Sequence, residues 1–179
     1  MSTRGNVIFL NSYLLKEEYI LSEEDISKIF SYEYKELIDK SPCIYIHSDM
    51  YPEGALRDLQ EFLTMDASKY RAEDTSYLSA WFVAFKCMNL IPFARAISER
   101  KRLDYTKIPK TFNEMKKTKD FIGIGLVNGP DDWNDYQYIV IPKEIDRYIH
   151  ESENSFDIYV FAGFQRCVGK FNTEENTVE

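Results

Sequence analysis

His47-Ser48-Asp49-Met50-Tyr51-Pro52-Glu53-Gly54 places an imidazole, two carboxylates, a phenol and a Pro/Gly break within eight residues. The stretch lies between an apolar run and a helical pattern. A histidine and two carboxylates at this spacing could bind a divalent cation or share general acid–base duty. That chemistry would make a small metal-dependent hydrolase or nuclease, with His47, Asp49 and Glu53 as catalytic groups and Asp49 and Glu53 as metal ligands. The same residues also suit the start of a helix. Ser48 or Asp49 can cap it, Pro52 fixes its first turn, and Glu53 favours its positive end. On that reading His47 only hydrogen-bonds nearby, and no catalytic residue is assigned.

No second constellation completes an active site. The other histidine, His150, follows about a hundred residues later in a polar stretch. The chain has no Gly-x-Ser-x-Gly elbow, phosphate-binding loop or Cys-x-x-Cys. Gly123-x-Gly125 lacks the third glycine and following helix of a dinucleotide site. Cys43, beside one histidine, reads as a buried structural thiol rather than a nucleophile. No cofactor is expected. Asp131, Asp132 and Asp135, around Trp133 and Tyr136, could hold a cation but lack the glycine and distal glutamate of a calcium loop. An exposed Trp flanked by acids better suits an anchor for a basic protein surface, although a solvated turn with its indole folded inward is the simpler expectation. Arg100-Lys101-Arg102 opens a run of cations that could contact phosphates or an acidic protein, with Tyr105 and Phe112 able to stack on bases.

Charge sets the context for these candidates. The net charge of −8 is unevenly spread over the 179 residues. Residues 1–94 carry 9 basic and 15 acidic side chains, residues 95–119 carry 9 and 3, and residues 120–179 carry 4 and 12. Two acidic blocks therefore flank one short basic segment. Acidic blocks disfavour nucleic acid and anionic lipid and suit a basic partner, so no direct nucleic-acid or membrane binding is expected. Solubility alone would also account for such a balance. No apolar run reaches the roughly 18 residues of a membrane span. Three scattered cysteines, Cys43, Cys87 and Cys167, suit reduced thiols in the cytoplasm.

These residues need elements to position them. Gly5–Leu10 reads as a buried strand, and Ser22 caps a helix that runs to Asp39 before Ser41-Pro42. Cys43–His47 is a second strand. Ala55–Leu63 is a helix buried through Leu56, Leu59, Phe62 and Leu63. From Asp74 or Thr75 the strongest apolar stripe begins: Tyr77, Leu78, Trp81, Phe82, Phe85 and Met88, ending or kinking at Pro92. Residues 95–119 have poor periodicity and read as a basic insertion or loop. Phe121–Val127, Tyr136–Ile141 and Phe156–Phe161 are strands, and an acidic tail frays from about residue 172. This order predicts a single α+β domain over residues 1–179. Its largely antiparallel sheet of about five strands has helices packed on one face.

The chain resembles a group of small uncharacterised phage and prophage proteins. The likeness rests on Thr3-Arg4-Gly5-Asn6-Val7 and on Tyr45-Ile46-His47-Ser48-Asp49-Met50-Tyr51-Pro52-Glu53-Gly54-Ala55-Leu56, with looser similarity at Ser79-Ala80-Trp81 and Ile122–Gly125. Met50 stands where the group has glycine, and residues 11–42 are longer than its pattern. The resemblance implies a mobile-element setting, in which small acidic proteins block host defence machinery. The resulting expectation is a non-enzymatic, anti-CRISPR-like inhibitor in the host cytoplasm. Its acidic surface would occupy a basic nucleic-acid-binding site on a host protein. Its expected binding residues are Asp131, Asp132, Trp133, Asp135, Tyr136, Arg100, Lys101 and Arg102. A homo-oligomeric structural or regulatory subunit, such as a homodimer, is the remaining alternative.

Overall fold

A computed structural model of the chain describes residues 3–11, 14, 21–47, 50–65, 68, 72–98, 123–143, 155–164 and 166–173. Six strands form one sheet in the order β3-β2-β1-β4-β5-β6. They are β1 (Gly5–Phe9), β2 (Cys43–Ile46), β3 (Ile124–Val127), β4 (Tyr136–Lys143), β5 (Ser155–Ala162) and β6 (Arg166–Asn172). β1 pairs with β4 in parallel, and the other four pairings are antiparallel. The expected α+β class and mostly antiparallel sheet are both present. The sixth strand, β6, occupies the end of the chain just before the expected frayed tail.

Helices cover both faces of this sheet, not one. Among the described residues, four helices accompany a 3₁₀ turn: α1 (Glu23–Ser27), the turn Tyr32–Tyr34, α2 (Lys35–Asp39), α3 (Pro52–Leu63) and α4 (Thr75–Ser98). Strand alternation sends Val7, Phe9, Ile44, Ile46, Tyr138, Val140, Ile158 and Val160 to the α3–α4 face. It sends Ile8, Leu10, Cys43, Ile139, Tyr159 and Phe161 to the face covered by Ile26, Ile29, Tyr34, Leu37 and Ile38. Both layers are apolar, so β1, β4 and β5 carry near-continuous hydrophobic runs instead of alternating ones.

The expected single helix over 22–39 is broken. Ser22 and Asp25 form a capping box, but Lys28, Ile29 and Ser31 donate to the carbonyls of Asp25, Ile26 and Lys28. These tighter bonds close the helix after one turn and turn Ile26, Ile29 and Tyr34 onto the sheet together. The Tyr34 hydroxyl then donates to Asp25 Oδ1 at 2.5 Å. At the other extreme, α4 does not end at Pro92 but runs to Ser98. Its N-terminus is capped by Asp74, which accepts from Tyr77 N at 2.9 Å. The buried side of α4 is Leu78, Phe82 and Lys86, while Trp81 and Met88 are exposed. Phe82 meets Phe9 and Phe62 edge-on, with ring centroids 5.7 and 5.2 Å apart. This aromatic cluster joins α3, α4 and the sheet.

Candidate functional site

The His47–Gly54 junction is held to the sheet by short-range fits. Met50 N donates to Thr3 O at 3.3 Å, and the buried Tyr138 hydroxyl donates to Met50 O at 2.7 Å. A Cβ at Gly5 would lie 3.0 Å from both Met50 Cβ and Tyr136 O. Only glycine lets Met50 close over the first strand without displacing backbone. Thr3–Gly5 and Met50 thus pack against each other.

Around that junction the expected helix-start roles hold in part. Pro52 opens α3 and Glu53 lies in its first turn. Tyr51, not Ser48 or Asp49, occupies the N-cap, in extended geometry and without a side-chain cap bond. Ser48 and Asp49 lie outside the described residues. His47 follows β2, and alternation directs it to the face opposite α3, as it does Tyr45. The Tyr45 hydroxyl and His47 Nδ1 are 2.8 Å apart. Glu53 is exposed on the α3 side. Among the described residues, no three His, Cys, Asp or Glu side chains gather closely enough to hold a metal ion.

The thiols are free: Cys43 and Cys87 are buried and Cys167 is exposed. Burial pushes the Cys43 thiol up to about 12, so no thiolate is present there for nucleophilic attack. Cys167 should therefore react rapidly with a thiol reagent in the native state, and Cys43 and Cys87 only on unfolding. Because the folded pKa of Cys43 lies above its unfolded value of about 8.5, its contribution to stability is complete below that value. It is lost as pH rises towards 12. Urea titrations from pH 8 to 11 should show wild type losing stability more steeply than Cys43→Val. Parallel pH profiles would contradict this.

The acidic loop 131–135 has the most defined geometry of the expected binding residues. Trp133 N donates to Asp131 Oδ1 at 3.0 Å, an Asx turn. The buried Gln137 donates from Nε2 to Asp131 O at 2.9 Å, and accepts from Asn6 Nδ2 at 3.0 Å. Asp135 Oδ2 accepts from Arg4 N at 2.9 Å, Arg4 O accepts from Asp135 N and Tyr136 N, and Asp135 O accepts from Gly163 N. The loop is pinned to β1, β4 and the β5–β6 turn. From it the Trp133 side chain stands 84% exposed, with Asp131 and Asp132 exposed beside it. The inward-folded indole expected of a plain turn is not what this loop holds. Tyr136 is half-buried against the α3–α4 core cluster, its ring 6.4 Å from those of Tyr51 and Tyr138.

Arg100, Lys101 and Arg102 lie outside the described residues. A feature that the sequence patterns did not bring out is an open cavity of about 390 Å³ between the α1–α2 turns, Gly129-Pro130 and Phe164. Its lining comes from segments far apart in sequence, and Phe30 stacks on Phe164 across it, with ring centroids 4.6 Å apart. Among the described residues, no helix is long and apolar enough to cross a membrane. Searches against family models, curated proteins and solved structures find no match to this chain.

Proposed function

We propose that this is a non-enzymatic binding protein that docks onto a basic surface of another protein through its acidic loop, with Trp133 as anchor. The observation that carries the reading is the exposure of Trp133 from a loop whose backbone is already fixed. A large aromatic buries about 150–250 Å², worth about 4–6 kcal/mol at 25 cal/mol per Å² before the costs of association. A pre-ordered loop adds little ordering cost on binding. Asp131, Asp132 and Asp135 around the indole supply charge complementary to lysine and arginine, which favours fast, salt-sensitive association.

The resemblance to phage proteins suggests where such a partner lies. A nucleic-acid-handling host protein presents the required basic groove, and a protein filling it blocks DNA or RNA entry. This makes the chain a counter-defence inhibitor of the anti-CRISPR kind.

The test is affinity capture from bacterial lysate with wild type and Trp133→Ala, at about 50 and 500 mM salt, either side of the range where screening becomes short. The expected result is recovery of a basic nucleic-acid-binding protein by wild type at low salt only, with little recovered by Trp133→Ala. Equal recovery by both proteins, or recovery indifferent to salt, would overturn the proposal.

A further inference from the structure

The cavity beside the acidic loop is lined mainly by apolar side chains. Its apolar walls are Ile29, Phe30, Ile38, Pro130 and Phe164, the ion pair of Lys35 with Asp39 lines it as well, and Tyr32 stands at its edge 92% exposed. At about 390 Å³ it falls at the small end of ligand pockets, room for one bulky apolar side chain. The segments around it carry net negative charge. Residues 23–40 and 128–135 together carry nine carboxylates against three lysines. These lysines pair with Glu24, Asp39 and Glu36, and Glu23 pairs with Lys170; the carboxylates beside the cavity outside these pairs are the exposed Glu33 and Asp131, chain neighbours of the lining Tyr32 and Pro130. The cavity wall and the anchor share one loop, since Pro130 and Trp133 lie three residues apart.

We infer that this groove receives a segment of the partner protein in which one bulky apolar residue is flanked by lysines or arginines. The inference rests on the docking reading above and supplies the partner's chemistry. The apolar side chain would enter between Phe30, Phe164 and Pro130, and the flanking cations would face the acidic rim. An apolar wall in an acidic surround selects against two other occupants. An acidic segment meets like charge, and a purely polar basic segment leaves the cavity unfilled.

The probe is a dye-labelled Lys-Arg-Phe-Arg-Lys peptide, titrated against the full chain by fluorescence anisotropy. The expected result is binding about tenfold tighter than that of Lys-Arg-Ala-Arg-Lys, with none for Glu-Asp-Phe-Asp-Glu. Ser31 lines the groove, and its side chain makes no cap bond. Ser31→Trp should therefore obstruct the cavity and weaken the phenylalanine peptide about tenfold, at unchanged melting temperature. Tyr32→Ala, which removes only an exposed ring, should weaken it by a smaller factor. Trp133→Ala should leave peptide binding intact while abolishing partner capture. Equal affinity for the phenylalanine and alanine peptides would reduce the groove to a charged surface and overturn the inference. So would indifference to Ser31→Trp, or Phe-peptide binding that tracks protein self-association. If the peptide fails while Trp133-dependent capture succeeds, the groove inference falls and the docking reading stands. If capture fails while the peptide binds as expected, the reverse holds.

Discussion

Asp58→Ala should lower the stability of the fold by about 3 kcal/mol, roughly 6–12 °C in melting temperature for a chain of this size. Asp58 on α3 forms an ion pair with Lys86 on α4. The Lys86 side chain is 4% exposed, whereas that of Asp58 is 24% exposed. Removing the carboxylate leaves a buried ammonium with no charge partner there, and the cost is the desolvation of that cation. The partial exposure of Asp58 lets water reach the site and keeps the loss at the low end for a broken buried pair. Replacing both partners with apolar side chains, Asp58→Leu with Lys86→Met, should recover most of it, because the pair itself roughly offsets its own desolvation. Chemical denaturation measures both variants. A change of less than about 0.5 kcal/mol in Asp58→Ala, the size of an ordinary surface substitution, would mean that Lys86 finds water and that α3 and α4 are not locked by this pair.

Trp133→Ala should do the opposite, leaving stability within about 0.5 kcal/mol of wild type while weakening partner binding about 30- to 1,000-fold. The indole is 84% exposed, and the loop hydrogen bonds use the Trp133 backbone and the Asp131 and Gln137 side chains. Truncating the ring removes none of them. Trp133→Phe should retain part of the affinity, since it keeps an apolar ring but loses the indole N–H. Paired thermal melts and titrations with the captured partner separate the two effects. A large drop in stability would mean the indole is buried in solution, and the anchor role would be lost with it.

Much of the fold was legible from the chain. The helix at Pro52–Leu63 follows from Pro52 and the Leu56, Leu59, Phe62 and Leu63 spacing, and its buried face matches. Strands β1, β2, β4 and β5 follow from short apolar, β-rich runs. The second helical layer was not anticipated, although its signal was present. Ile8, Leu10, Ile139, Tyr159 and Phe161 fill the positions that a one-sided sheet would leave polar, and they form a buried cluster of their own. Element order cannot say which face a helix will cover, whereas continuous apolar strands can. β6 was hidden by composition: Arg166, Gly169 and Lys170 interrupt its apolar pattern. Lys170 instead serves the sheet by reaching Glu23 at 2.7 Å and lying over the Tyr159 ring.

The site was legible as residues and not as arrangement. The Asp131–Trp133 cluster stood out by type. The loop that carries the indole is tied down by Gln137 and Asn6, two buried amides 131 residues apart that no local pattern links. His47 and Glu53 are six residues apart in sequence, yet strand alternation and the α3 packing side assign them to opposite faces. The groove is formed by the α1–α2 turns, the loop before β4 and the β5–β6 turn, so only the folded chain brings it together.

The claim that this protein acts by occupying a basic nucleic-acid-binding surface is tested most directly by displacement. A fluorescent oligonucleotide is bound to the captured partner, and the protein is titrated in while anisotropy is followed. Release of the oligonucleotide by wild type, weakened by salt and largely lost with Trp133→Ala, is the predicted result. An oligonucleotide that stays bound while the protein joins it on the partner would contradict the account.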